Sequence, residues 1–180
     1  EKVCSDPLDP QVAEWLLEYG IRRIVVGHKP TGDCPAVLSA SYTGVEVVSA
    51  DTSYSDYQRG SSSRDNHRGV AVSIVEIAGA TSMDNQLLVS GRLKNGHEYD
   101  NRYPRLFAKD GFDDTHGDRH LGIRLKTDNF DIAGKDHDDP HHCWWTKAVI
   151  PSEQTYYLCR GKGRQVEYTS IPLTHIEKYL

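Results

Sequence analysis

The sequence has one methionine, Met83, and three phenylalanines among 180 residues. It has no apolar run near the roughly 18 residues that a membrane-crossing helix needs, and no membrane partner is expected. Its first residues, EKVCSDPLDP, contain no apolar stretch and are not expected to be a secretory leader. Basic residues do not predominate: 21 Lys and Arg against 26 Asp and Glu leave a net charge of −5, which argues against a nucleic-acid partner. Four cysteines, Cys4, Cys34, Cys143 and Cys159, occur without any CxxC spacing. They are sparse for a disulfide-stapled scaffold of this length, so thiols are the expectation. That leaves the compartment open, with the cytoplasm favoured. Residue 1 is Glu, and the chain reads as a piece of something longer.

What is there begins with a helix. In PLDPQVAEWLLEYG (7–20), Asp9 can cap, Pro10 suits the first helical position and Gly20 suits the exit. Val12, Trp15, Leu16 and Tyr19 fall at helical spacing and predict one apolar face. IRRIVVGH (21–28) follows at once and reads as a strand buried on both faces. Strands are also predicted in VEVVSAD (45–51) and GVAVSIVEI (69–77), with a long polar loop between them. From Gln86 the pattern is β only: a hairpin around Lys94-Asn95-Gly96, a strand in CWWTKAVI (143–150), and a hairpin around Gly161-Lys162-Gly163. Trp144 and Trp145 are consecutive and are expected to pack rather than to stack on a sugar or base. DIAGKDHDDPHHCWW (131–145) crowds Asp136, His137, Asp138, Asp139, His141 and His142, yet it fits no closed zinc spacing and reads as an exposed polar loop.

The strand exit at Gly27-His28 carries the functional signal. A histidine at the carboxyl end of a strand stands where open α/β sheets place their ligands, and imidazole is the commonest metal ligand at neutral pH. VVGHKPTGDCP resembles the last metal-binding motif of the calcineurin-like metallophosphoesterases, in which a strand ends in Gly-His followed by any residue and then His or Pro. VEVVSADTSYS and DNHRGVAVSIVEI resemble the closing strands of the phosphoprotein phosphatases in that superfamily. The resemblance covers Ile21 to Ile77. Pro30 stands where many relatives have a second histidine. The family's Asp-x-His, Gly-Asp and Gly-Asn-His-Glu motifs, which should precede this segment, are not in this sequence, and the Gly-Asp of HGDRH (116–120) lies downstream.

The resemblance implies an α/β fold, the C-terminal half of a metallophosphoesterase α/β sandwich over 1–82, followed by a small all-β appendage over 83–180. It implies two divalent metal ions (Mn, Fe, Zn or Mg), hydrolysis of a phosphoester by metal-bound hydroxide, and His28 as a ligand of one metal. Lys29 would face the phosphate or remain a solvated lysine. Asp33 would stabilise its own turn or support a ligand. Asp51 and Ser53 would end a strand beside the site, and Tyr54 would line the substrate face. The implied partners are a phosphorylated substrate and the N-terminal half of the same protein, without which this segment is expected to be inactive. The alternative is a non-catalytic β-rich binding or structural module built on the phosphatase framework.

Overall fold

In the computed structural model, which describes residues 8–28, 32–38, 43–52, 71–81, 84–103, 120–125, 144–162 and 165–180, helix α1 runs over Pro10–Glu18. The Asp9 carboxylate accepts a hydrogen bond from the Gln11 amide at 2.9 Å. Pro10 takes the first helical position, where a missing amide proton costs nothing. Gly20 leaves the helix at φ 72°, a conformation that a Cβ disfavours.

The face that α1 buries is narrower than the sequence pattern predicts. Ala13 and Leu16 are buried against Val45, with Leu8, Leu17 and Ile24 around them. Val12, Trp15 and Tyr19 are exposed, Trp15 at 55% and Tyr19 at 69%. Trp15 and Tyr19 lean on each other, ring centroids 5.2 Å apart, as residues four apart on a helix do.

The first sheet holds β1 (Arg23–Val26), β2 (Ala36–Leu38) and β3 (Glu46–Ser49), in the order β1-β3-β2. β1 pairs with β3 in parallel and β2 pairs with β3 in antiparallel fashion. β2 was not anticipated, because AVL is too short and apolar to carry an alternation. β1 is not buried on both faces as expected: it lies at the sheet edge, with Val25 and Val26 exposed. Arg23 and Glu46 face each other in register and form a buried ion pair.

The second sheet is an antiparallel meander of β4 (Val72–Thr81), β5 (Asp84–Arg92) and β6 (Glu98–Arg102). The β5–β6 turn falls at the expected Lys94-Asn95-Gly96, and Gly96 takes φ 91°. The third sheet is a second meander of β7 (Trp145–Ile150), β8 (Thr155–Lys162) and β9 (Gln165–Pro172), closed by a 3-10 helix at Leu173–Lys178. Trp144 and Trp145 are both buried. Trp144 belongs to the main core, while Trp145 packs with Leu38 and Cys159. Successive residues of an extended chain point to opposite sides, so packing accounts for both rings.

The described residues are therefore mostly β, in three small sheets with one α-helix, and they do not form the α/β sandwich expected of the first part. The physical reason lies in the connections. A parallel strand pair needs a helical crossover to cover its sheet. Here β2 and its flanking Pro35 stand between β1 and β3 instead, and no helix of the described residues covers the other face.

One core joins all three sheets. Cys34, Val37 and Val48 from the first meet Leu87, Val89, Tyr99 and Tyr103 from the second and Val149, Tyr156 and Leu158 from the third. β4 and β5, on either side of the division at 82/83, pair with each other, and residues on both sides of it share this core. Polar side chains tie the sheets as well. The buried Asn101 amide oxygen accepts from the Val149 amide at 3.0 Å, and the Thr146 hydroxyl donates to the His120 carbonyl and accepts from the Ile123 amide at 3.0 Å. No helix of the described residues is long and apolar enough to cross a membrane.

Candidate functional site

β1 ends at Val26, paired with Ser49 at the end of β3, and the Ala50 amide donates to the Val26 carbonyl at 2.9 Å. His28 and Asp51 each follow two residues after this last pair. Two neighbouring parallel strands thus deliver an imidazole and a carboxylate at the same level beyond their carboxyl ends, where open sheets present ligands. His28 is exposed and takes φ 71°. That left-handed conformation is uncommon for a residue with a Cβ, and such strain collects at functional sites. Asp51 is half-buried and Thr52 beside it is buried.

Asp33 is elsewhere. It is 2% exposed. Its carboxylate accepts from the Tyr157 hydroxyl at 3.2 and 3.3 Å and from the Lys94 amide at 3.3 Å. It binds two other sheets rather than only its own turn. Burial, with the Asp33 charge beside it, pushes the Tyr157 hydroxyl far above its ordinary range, so it stays protonated and can only donate to the carboxylate. Lys29, Ser53 and Tyr54 lie outside the described residues, as do the Asp- and His-rich stretch 126–143 and most of HGDRH.

Among the described residues no group of three or more His, Cys, Asp or Glu is placed to hold a metal ion. His28 and Asp51 are nitrogen and oxygen donors of the kinds that Mn, Fe, Zn and Mg accept. They are two donors, where such a site needs four or more. Cys34 and Cys159 are buried thiols, not joined in a disulfide; the other two cysteines lie outside the described residues. Burial raises the Cys34 thiol far above its usual range, so it is held as a neutral thiol.

Three residues around Asp33 were not anticipated. Lys147 is buried on β7, and its ammonium donates to the Cys34 carbonyl at 2.8 Å. Tyr157 on β8 stacks on Tyr168 of β9, ring centroids 5.1 Å apart at 11°. A lysine inside the otherwise apolar CWWTKAVI was the one available signal. Nothing in the local pattern marks the tyrosines, whose partners lie 124 residues away in sequence. Compared with protein-family models, with curated proteins and with solved structures, the chain matches none.

Proposed function

We propose that this chain is the C-terminal part of a metal-dependent phosphoesterase of the calcineurin-like superfamily, with His28 as one ligand of a dinuclear centre. The observation that carries the reading is the strained, exposed His28 beyond the end of β1, level with Asp51 beyond the parallel β3. Bound metals would supply an activated hydroxide and charge stabilisation for in-line displacement at phosphorus. This chain's own contribution would be to hold the His28 imidazole after the end of β1 and to set Asp51 at the equivalent position after β3. The remaining ligands belong to the N-terminal half of the protein. The exposed apolar residues of α1 and β1, among them Trp15, Tyr19, Val25 and Val26, are surface on which that half would pack. The substrate is a phosphomonoester or phosphodiester.

The second reading, a β-rich binding or structural module, draws support from the common core of the three sheets, which gives the fold a purpose without chemistry. Hydrolysis of p-nitrophenyl phosphate with Mn²⁺ separates the two. The full-length protein is expected to hydrolyse it, this chain alone is not, and His28→Ala in the full-length protein lowers kcat/KM by about 100-fold. Equal rates for wild type and His28→Ala overturn the ligand role. No hydrolysis by the full-length protein favours the module.

A further inference from the structure

We infer that the outer face of α1 is a docking surface for a basic segment of polypeptide, with an arginine laid on the Trp15 and Tyr19 rings beside the Glu14 and Glu18 carboxylates; the inference rests on the proposed function only in taking that segment from the N-terminal half. Ala13 and Leu16 hold the helix to Val45, and Glu14, Trp15, Glu18 and Tyr19 are exposed. Glu18 stands four residues after Glu14 and three after Trp15, so it neighbours both on the helix surface. Like charges at a spacing of four repel each other, and a cation beside them relieves the repulsion. α1 has no basic residue, so the negative end of its dipole adds to the same field. No ion pair of the described residues includes either carboxylate. The nearest cations along the chain are Arg22, past the Gly20 exit, and Arg23, which is bound to Glu46.

The aromatic pair decides which cation fits. The two rings are 5.2 Å apart and tilted by 51°, and at 55% and 69% exposure they are open to a partner. A guanidinium plane stacks on such a ring and still reaches a neighbouring carboxylate through its N–H groups, whereas a lysine brings charge without the flat face. The third sheet of the same molecule holds this arrangement complete. There the Arg160 guanidinium lies 4.7 Å from the centre of the Trp144 ring and donates to the Glu167 carboxylate at 2.7 Å. α1 offers the tryptophan and the carboxylates, and a docked arginine completes the set. An apolar partner would bury Glu14 and Glu18 without a bond, which is costly, and an acidic one would be repelled. The net charge of −5 over the chain also favours approach of a basic segment.

The test begins on this chain. Of its three tryptophans, Trp144 and Trp145 are buried and Trp15 is exposed, so the emission open to a dissolved quencher belongs to Trp15. A Gly-Arg-Gly-Arg peptide is expected to change that emission and to bind at least about 5-fold more tightly than Gly-Glu-Gly-Glu, with the difference shrinking as salt is added. The double variant Glu14→Gln, Glu18→Gln should weaken binding of the arginine peptide by about 5-fold, and Tyr19→Leu by about 3-fold, each at an unchanged urea midpoint. Equal affinity for the two peptides, or a double variant that binds like wild type, overturns the inference. In the full-length protein the emission lost on Trp15→Phe is expected to be shielded from caesium, because the basic segment already lies there. If the arginine peptide fails on this chain while Trp15 is shielded in the full-length protein, the basic docking falls and the packing of the N-terminal half stands. If Trp15 remains open to caesium in the full-length protein, that packing falls, and the source of the segment with it.

Discussion

Gly32 is held at φ 98°, with the Tyr168 hydroxyl in the place of its missing side chain. Gly32→Ala must therefore adopt a disfavoured backbone and also displace the partly buried Tyr168 ring. The expected cost is at least about 2 kcal/mol, read as a lower urea midpoint at unchanged slope. Glu46 offers a test of a different kind. Burial raises its carboxyl above the ordinary range, and the Arg23 guanidinium beside it holds back part of that rise. A raised folded-state pKa means that the native protein binds the proton more readily than the unfolded chain. The stability from this group is then greatest below the unfolded value of about 4.3 and falls as the pH rises through the folded value. As the pH rises from about 4.3 through the folded value, the wild type should lose more stability than Glu46→Gln, which cannot titrate. Parallel urea curves across that range would count against it.

At the scale of elements, α1 and β1 share one peculiarity: their apolar residues divide between core and surface. Leu16 and Ala13 hold the helix to Val45, while Trp15, Tyr19, Val25 and Val26 remain exposed. β1 is an edge strand as well, and an exposed apolar edge invites a partner. In this chain by itself the double variant Trp15→Ser, Val25→Ser should change stability by no more than about 0.5 kcal/mol per site, the usual range for surface positions. On the proposed function, in which an N-terminal half packs here, the same variant in the full-length protein should lower the melting temperature by several degrees. Calorimetry on both proteins checks this; equal shifts in the two would mean that nothing packs on α1 and β1. The helix itself was legible to the residue, since Asp9, Pro10 and Gly20 act through bonds to near neighbours. Which side of it faces the core was not, because the spacing of apolar residues cannot say which of them meet a partner.

Across the whole molecule, the strands past residue 71 were largely anticipated, the hairpin at Lys94-Asn95-Gly96 included, since turn chemistry and apolar runs are local properties. Their assembly was not. Asp33 was legible as a turn residue or a support for a ligand; its buried bonds to Tyr157 and Lys94 depend on strands that only tertiary packing brings together. The α/β sandwich was implied by the resemblance around the Gly27-His28 strand exit, and the described residues instead form three small sheets around one core. The sequence alone determined the cap and end of α1, the existence of most strands, and a histidine after a strand end, because each follows from steric and hydrogen-bonding preferences over a few residues. Tertiary structure decided that β1 lies at an edge, that Asp51 leaves β3 level with His28, and that Lys147, Tyr157 and Tyr168 close on residues 32–34. Those are meetings of groups distant along the chain, fixed by the burial of apolar surface and the bonding of buried polar atoms over the molecule as a whole.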